Sequence, residues 1–250
     1  FDGCSSLTTI AMPDGLTSIG DGAFDGCNSL GPIIELPNRL TSIDICAFQG
    51  CHALVTIELP TSLTSIGSSA FRDCHALFTI ELPTSLTSIG SSAFQDCHAL
   101  VTIEWPAGLT SIGISTFQGC SSLAEIKLPT SLTSIGNSAF QGCNSLATIE
   151  LPTGFTSIGY CAFEDCSSLA RIELPTSLTS IGARAFEGCS SLAPTIELPT
   201  SLTSIGHHAF YGCSSLAPTI ELPTSLTSIG HHAFYGCSSL VTIEFEFAAI

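Results

Sequence analysis

The sequence is poor in basic residues and in charged residues generally. Its 250 residues include 5 Lys and Arg against 21 Asp and Glu, which gives a formal net charge of −16. Binding to a phosphate backbone requires clustered Lys and Arg, so this balance excludes nucleic acid as the expected partner. Disorder is excluded for a different reason, because 44% of the residues are hydrophobic and such a chain can bury a core.

Membrane-length apolar runs, a leader segment and glycosylation motifs are missing too. Every stretch of about 18 residues contains Ser, Thr, Glu or Pro, so we predict no membrane-spanning helix. The chain opens at Phe1 without a basic segment followed by an apolar one, so we expect any targeting peptide to be removed or to lie outside this sequence. No Asn-x-Ser/Thr acceptor occurs, and N-glycosylation is not expected.

The chain does contain one unit that is repeated about ten times. Leu-Pro, or a close variant, ends a short apolar segment at intervals of 23 or 24 residues, and a Phe-x-x-Cys motif recurs eleven times with the same period. The prolines are Pro13, Pro37, Pro60, Pro83, Pro106, Pro129, Pro152, Pro175, Pro199 and Pro223. A period of this length is typical of a solenoid.

Within one unit, two short strands are predicted. Polar and apolar residues alternate over 56–59, the period of a strand with one buried face. Pro60 ends this strand because proline has no amide hydrogen to donate to a neighbour. Leu63 and Ile66 mark a second short extended segment.

The rest of the unit is predicted to be a tight bend followed by a short helical turn. The position of Gly67 holds Gly in nine units and Asp44 in one, which predicts a backbone with positive φ. Ala70, Cys74 and Leu77 then have the spacing of one helical face.

A single unit cannot fold alone. About seven inward side chains give on the order of 10 to 20 kcal/mol of gross burial, whereas ordering each of about 23 residues costs roughly 1 to 2 kcal/mol. Stacking shares each strand and each Phe between neighbours. We therefore predict parallel β-strands stacked coil on coil, with a second short strand and a short helical turn in every repeat.

The pattern of the unit resembles a known repeat. The sequence L-x-x-I-x-L-P-x-x-L-x-x-I-G-x-x-A-F-x-x-C, read from Leu54, is similar to the BspA-like leucine-rich repeat of surface proteins in some bacteria and protists. The resemblance covers residues 1–250 and implies a single leucine-rich-repeat solenoid. Such proteins are associated with adhesion and protein binding, which implies a cell-surface or extracellular location; a cytoplasmic scaffold is the alternative.

Equal positions in successive coils become neighbours, so each outward residue type is expected to form a stripe. Carboxylates about 5 Å apart in water repel by roughly 0.8 kcal/mol, so an acidic stripe interrupted only by Lys127 favours cations or a basic protein partner. Threonines beside the acids suit hydrogen bonds to a protein or a glycan. The alternative is a solvated face that prevents aggregation. The candidate binding residues are Glu35, Glu58, Glu81, Glu104, Glu150, Glu173, Glu197, Glu221, Glu244, Thr56, Thr79, Thr102 and Thr148.

Two other functions stay open. Neither Phe1 nor the apolar end at 245–250 resembles a polar cap, so we expect a segment of a longer protein, or a scaffold subunit that self-associates end to end. The Thr-Ser pairs of the second strands could match an ice or mineral lattice. Hydrogen bonds to nearby backbone are the favoured role for these hydroxyls.

The histidines suggest a possible metal site, and the cysteines suggest possible disulfide bonds. His52, His75 and His98 occupy consecutive coils, and the pairs at 207–208 and 231–232 occupy two neighbouring coils, so zinc ligation is conceivable. The coils that carry these histidines are near copies of one another, however. Duplication of a coil also copies its histidines, even when they have no function. We assign no metal site.

Cysteines in a ladder point the same way, which is poor disulfide geometry, so we predict small buried side chains and no disulfide network.

Catalysis has no support in the pattern. The acids form a stripe instead of a pair in a pocket, no Ser, Cys or His holds a unique position, and no glycine-rich phosphate loop follows a strand. A packed column also offers no deep cleft. We expect a non-catalytic protein-interaction or adhesion module without a cofactor.

Overall fold

The repeats fold into a column of stacked coils. We describe a computed structural model of the chain over residues 1–192 and 196–245. All its strands are short, and those that pair do so in parallel and in register, which confirms the predicted solenoid. The predicted apolar end at 246–250 lies outside the described residues. The part of the chain that is described holds no apolar helix of membrane-spanning length.

The first set of strands follows the Thr-Ile-Glu segments. From β2 to β17 the Ile before the Glu or Lys points into the core and its two neighbours point outward, because side chains alternate along a strand. In the last strand, β19, the equivalent Ile243 is exposed. Glu35 pairs with Glu58, and Glu81 pairs with Glu104. The set consists of β2 (Ile33–Glu35), β4 (Thr56–Glu58), β6 (Thr79–Glu81), β8 (Thr102–Glu104), β10 (Glu125–Lys127), β12 (Thr148–Glu150), β14 (Arg171–Glu173), β17 (Thr219–Leu222) and β19 (Thr242–Phe245).

The second set follows the Ser-Ile segments, at the position predicted from Leu63 and Ile66. It pairs continuously over its first four strands and again over its last six, with one interruption between β7 and β9. The set consists of β1 (Ser18–Ile19), β3 (Ser42–Ile43), β5 (Ser65–Ile66), β7 (Ser88–Ile89), β9 (Ser111–Ile112), β11 (Ser134–Ile135), β13 (Ser157–Ile158), β15 (Ser180–Ile181), β16 (Ser204–Ile205) and β18 (Ser228–Ile229).

The third side of each coil is a run of tight turns, which corrects the predicted helical turn. The described residues contain no helix. Ser69 and Asp73 have φ of 55° and 59°, and left-handed residues at this spacing break a helix into successive turns. Ala70, Cys74 and Leu77 are nevertheless all buried, as the predicted spacing requires.

Gly67 has a different role from the predicted one. Its φ lies outside the positive region, so the prediction of a left-handed backbone at this position was wrong. A Cβ atom on Gly67 would lie 2.6 Å from the backbone carbonyl carbon of Asp44 in the preceding coil. The glycine recurs because the backbones of neighbouring coils approach closely here.

Phenylalanine and cysteine continue through the core along the turn side. Eleven Phe rings stack from Phe1 to Phe234, with centroids 5.2 to 5.6 Å apart. The amide of each such Phe from Phe24 to Phe210 donates to a carbonyl of the next coil at 2.8 to 2.9 Å. All thirteen cysteines are free thiols. The turn side therefore binds each coil to its neighbours in the same way along its length.

The ladder cysteines from Cys27 to Cys237 are buried, as predicted, and they also act as hydrogen-bond donors, whereas Cys4 is exposed. Every thiol from Cys27 to Cys237 in the ladder donates to the Phe carbonyl of the preceding coil at 3.1 to 3.3 Å. A thiol is a weak donor. Its recurrence satisfies one buried carbonyl in each coil.

Candidate functional site

The predicted acidic stripe lies on the outward face of the first set of strands. All nine glutamates named above are exposed, including Glu197, which is in no assigned strand. Thr102 and Thr148 are exposed beside them, and Thr56 and Thr79 are half-buried. The structure therefore brings the candidate residues together on one face, in the order that the repeat predicts.

The stripe is not uniform along the column. In its middle, Lys127 pairs with Glu150 across adjacent strands, and the guanidinium of Arg171 lies 2.6 Å from a carboxylate oxygen of Glu173. These cations offset the acids locally. Towards the N-terminus the strands β2, β4, β6 and β8 contain no Lys or Arg. We call their four glutamates, Glu35, Glu58, Glu81 and Glu104, the acidic block.

An apolar strip runs beside the acidic block. Ile33, Val55 and Phe78 expose 64%, 37% and 51% of their surface. The amide of Phe78 donates to the carbonyl of Val55 at 3.0 Å, which holds two of these side chains on adjacent coils. Val55 and Phe78 directly precede β4 and β6, whereas Ile33 is the first residue of β2 and is in register with Thr56. Sequence reasoning missed this strip, because its side chains come from two positions of the repeat that hold different residues in different coils. Contiguous exposed apolar side chains bordered by charge are typical of interaction surfaces.

The histidines form two different arrays. In the histidine ladder, His52, His75 and His98 stack one per coil with ring centroids 4.7 and 4.9 Å apart. Near the C-terminal end, two coils each contribute two adjacent histidines. We define His208, His231 and His232 as the histidine patch. Within residues 1–192 and 196–245 it is the one group of three potential metal ligands with ligand atoms within 4.8 Å of one another.

The surroundings of the patch are polar and partly covered. Arg184, Glu187, Tyr211 and Tyr235 line a shallow recess together with two of the histidines. Burial raises the pKa of the Glu187 carboxyl above its ordinary value, although the positive charge of Arg184 acts in the opposite direction. Desolvation by neighbouring atoms, followed by the charges of the neighbouring histidines, lowers the pKa of the exposed His232.

A comparison with family models identifies the repeat. Six copies of the BspA type leucine rich repeat region match residues 1–123, 87–217 and 193–249, so the matches extend over nearly the whole chain. The chain belongs to the BspA-type leucine-rich repeat family. A search of curated proteins finds no match.

Solved structures of other repeat proteins resemble this BspA-type chain. A leucine-rich repeat protein from Bacteroides ovatus is 28% identical, with a TM-score of 0.56 over 99% of this chain and 86% of that one. A leucine rich cell surface protein from Faecalibacterium prausnitzii is 30% identical, with a TM-score of 0.59 over 100% of this chain and 68% of that one. The pneumococcal vaccine antigen PcpA, at 24% identity, shares the fold, with a TM-score of 0.61 over 96% of this chain and 70% of that one.

Family membership accounts for the recurring residues but not for the variable ones. In this BspA-type chain the recurring Leu, Ile, Ala, Phe and Cys side chains form the core. The apolar strip and the histidine patch consist of residues that differ from coil to coil and lie at or near the surface. These variable residues make the surface of one coil differ from that of the next.

Proposed function

We propose that this chain is a non-catalytic interaction module, of the kind used in adhesion, that binds a basic protein through the acidic block and the apolar strip. One observation supports the proposal above the others. Four exposed carboxylates lie on strands without a cation, beside the exposed side chains of Ile33, Val55 and Phe78. The mixed charges around Lys127 bound this surface on one side.

The chemistry of this surface favours a partner with both Lys or Arg and apolar side chains. Neighbouring strands are about 4.8 Å apart, so the carboxylates repel one another, and a cationic partner relieves that repulsion. Opposite charges accelerate encounter and define orientation, while the desolvated apolar contact supplies most of the affinity. Ile33, Val55 and Phe78 would supply that contact.

A cell-surface or extracellular location is part of the same proposal. It is supported by the resemblance to the Faecalibacterium prausnitzii protein, whose name describes a leucine rich cell surface protein. Adhesion requires the binding face to be accessible outside the cell. The nine exposed glutamates and their threonines fit such a face.

Selection from a phage-displayed library of random peptides on the intact chain tests the proposal. We expect enrichment of peptides that combine Lys or Arg with aromatic or aliphatic residues. Reversal of Glu58, Glu81 and Glu104 to Lys should weaken an enriched peptide at least about tenfold, because the three attractive contacts become repulsive. Replacing Phe78 with Ser should weaken it without changing the salt dependence of association.

A matched variant separates the acidic block from overall charge. Reversing Glu125, Glu150 and Glu173 to Lys changes the net charge by the same amount on the same set of strands. We expect this control to retain most of the binding. Equal losses in both triple variants, or enrichment of neutral or glycan-like ligands, would contradict a site at the acidic block.

A further inference from the structure

We propose that His208, His231 and His232 form a binding site for a divalent transition-metal ion such as Zn²⁺. The two coils that carry them are held in register, since Ser204 pairs with Ser228 just before the histidines. Potential ligand atoms of all three side chains lie within 4.8 Å of one another. This site is separate from the acidic block, and it does not depend on the proposed function.

The three rings are close enough to converge on one ion. The centroids of His231 and His232 are 3.7 Å apart, and those of His208 and His232 are 5.5 Å apart. Zinc–nitrogen bonds of about 2.0 Å place two tetrahedral ligands roughly 3.4 Å from each other. His231 and His232 are exposed and His208 is half-buried, so small rotations of the rings suffice to bring the nitrogens to this distance.

A fourth histidine in the same two coils is already engaged. Nδ1 of His207 accepts a hydrogen bond from the backbone amide of His231 at 2.8 Å. This bond ties the loop of one coil to the next, directly beside the proposed ligands. It leaves the ligand set at three imidazoles, and the fourth tetrahedral position is open to water or to an external ligand.

The nearby arginine is paired with carboxylates, so its charge is offset at the patch. The guanidinium of Arg184 lies 3.6 Å from a carboxylate oxygen of Glu164 and 3.5 Å from Oε2 of Glu187. Arg184 and Glu187 both line the recess with the histidines, so this carboxylate balances the positive charge there. Oε2 of Glu187 accepts no hydrogen bond within the described residues, despite its contact with the guanidinium.

The same residue type in the histidine ladder does not make an equivalent site. His52, His75 and His98 contribute one ring per coil, so the first and third rings are separated by two coil steps, roughly 9.6 Å. Nδ1 of His98 is also within 2.9 Å of the Gly119 carbonyl oxygen. In the patch, one histidine of one coil and two of the next bring three nitrogens together.

The donor set selects the class of ion. Imidazole nitrogen suits Zn²⁺, Cu²⁺ and Ni²⁺, whereas Ca²⁺ and Mg²⁺ require oxygen ligands. We therefore expect the patch to discriminate against the alkaline-earth ions. The full chain is titrated with ZnCl₂ alone, with TCEP present, in competition with a chromogenic chelator, and Co²⁺ provides a visible spectrum of the coordination.

The expected result is one Zn²⁺ per chain and a Co²⁺ spectrum without thiolate charge-transfer bands. Loss of even an outer partner of a metal ligand typically lowers affinity by roughly 10- to 100-fold, so the double variant H208Q/H232Q should lose at least about tenfold. The matched double variant H52Q/H75Q, in the histidine ladder, should bind as the wild type does. Circular dichroism verifies that both variants fold.

Three outcomes would overturn the site. They are the absence of saturable Zn²⁺ binding, equal affinity in H208Q/H232Q and H52Q/H75Q, and binding that disappears in C4S. The last variant removes Cys4, which is an exposed thiol and a competing zinc ligand. Loss of binding in H208Q/H232Q with retention in C4S supports the histidine patch.

Discussion

The column has a turn side, formed by the tight turns, and a strand side, formed by the two sets of strands. The two sides differ in how regularly they join neighbouring coils. On the turn side, the Phe stack and the Cys thiol bonds continue without a gap from coil to coil. On the strand side, the second set of strands stops pairing between β7 and β9, and β11 and β13 share a single residue pair. The turn side therefore carries the continuity of the column, and the strand side tolerates variation.

The presence of a serine hydroxyl correlates with continuous pairing in the second set of strands. In most coils a Ser after the Leu-Pro pair donates to the preceding coil, as Ser85 does to the carbonyl of Leu63 at 2.6 Å. Within the second set, the two junctions with weak or missing pairing are those where Gly108 and Gly154 replace this Ser. The first set is interrupted at other junctions, between β4 and β6 and between β8 and β10. The coil of Arg39 also lacks the Ser and still pairs, so the flexibility of glycine contributes together with the missing hydroxyl.

The largest expected effect is alkaline unfolding through the turn side. Burial raises the pKa of the ladder thiols, that of Cys51 to about 12 and that of Cys97 well above its ordinary value. The unfolded chain ionises near the ordinary thiol pKa of about 8.5. Stability from the protonated thiols is therefore fully present below about pH 8.5 and is lost as the pH rises towards the folded pKa. Each thiol should remove about 1.4 kcal/mol per pH unit in this window.

Urea unfolding at pH 8, 9 and 10 under reducing conditions measures this loss. Replacing Cys97, Cys120 and Cys143 with Ala should reduce the dependence of the unfolding free energy on pH by three such increments. Replacing three strand-side hydroxyls, those of Thr64, Thr87 and Thr133, with Val should leave it unchanged. If the triple cysteine variant keeps the full pH dependence of the unfolding free energy, groups other than these thiols cause the alkaline loss of stability.

The second effect tests whether the turn side holds the column together where the second set of strands is interrupted. Phe94 lies at the junction between β7 and β9, and Phe163 lies at a junction where both sets pair, β12 with β14 and β13 with β15. Both are fully buried, so replacing either with Ala should cost about 3 to 5 kcal/mol. Among the described strands at the junction of Phe94, β6 and β8 are the only ones that pair, so the same cavity should also weaken the coupling between the two halves of the column.

Two probes of urea unfolding distinguish these outcomes. Trp105, the single tryptophan, lies next to the interruption and reports one half by fluorescence, while circular dichroism reports the whole chain. We expect the two curves to separate in the Phe94→Ala variant and to coincide in Phe163→Ala. Coincident curves in both variants would show that the interruption has no effect on cooperativity.

The repeated part of the molecule was predictable because residues at the same spacing in every unit must occupy equivalent positions in the stacked coils. The pattern around Leu54 specified two strands, the buried Phe and Cys, and the direction of Glu58. Periodicity did not reveal backbone conformation. Positive φ occurs at Ser69 and Asp73, whose side chains vary between coils, whereas the recurring Gly67 is explained by the close backbone of the preceding coil.

The candidate surfaces were only partly predictable. The acidic stripe follows from the repeat, because every Glu occupies the same position. Lys127 and Arg171 divide the stripe, and Phe78 is exposed beside it. Both features depend on which of the residues that differ between coils become neighbours in the folded column. The histidine patch depends on the same kind of contact, since His208 meets His232 only because Ser204 and Ser228 are in register.

The smallest expected effect is a gain in stability from repairing the strand side at Gly108. Its φ is outside the positive region, and no atom lies within 4 Å of a Cβ added there, so Ser fits. Gly108→Ser should stabilise the chain by about 0.5 to 1.5 kcal/mol, through a less flexible unfolded state and a new hydrogen bond to the Leu86 carbonyl. Gly108→Ala provides the first contribution alone and should gain less. If both variants gain equally in urea unfolding, the hydroxyl is irrelevant, and glycine flexibility by itself explains why pairing stops between β7 and β9.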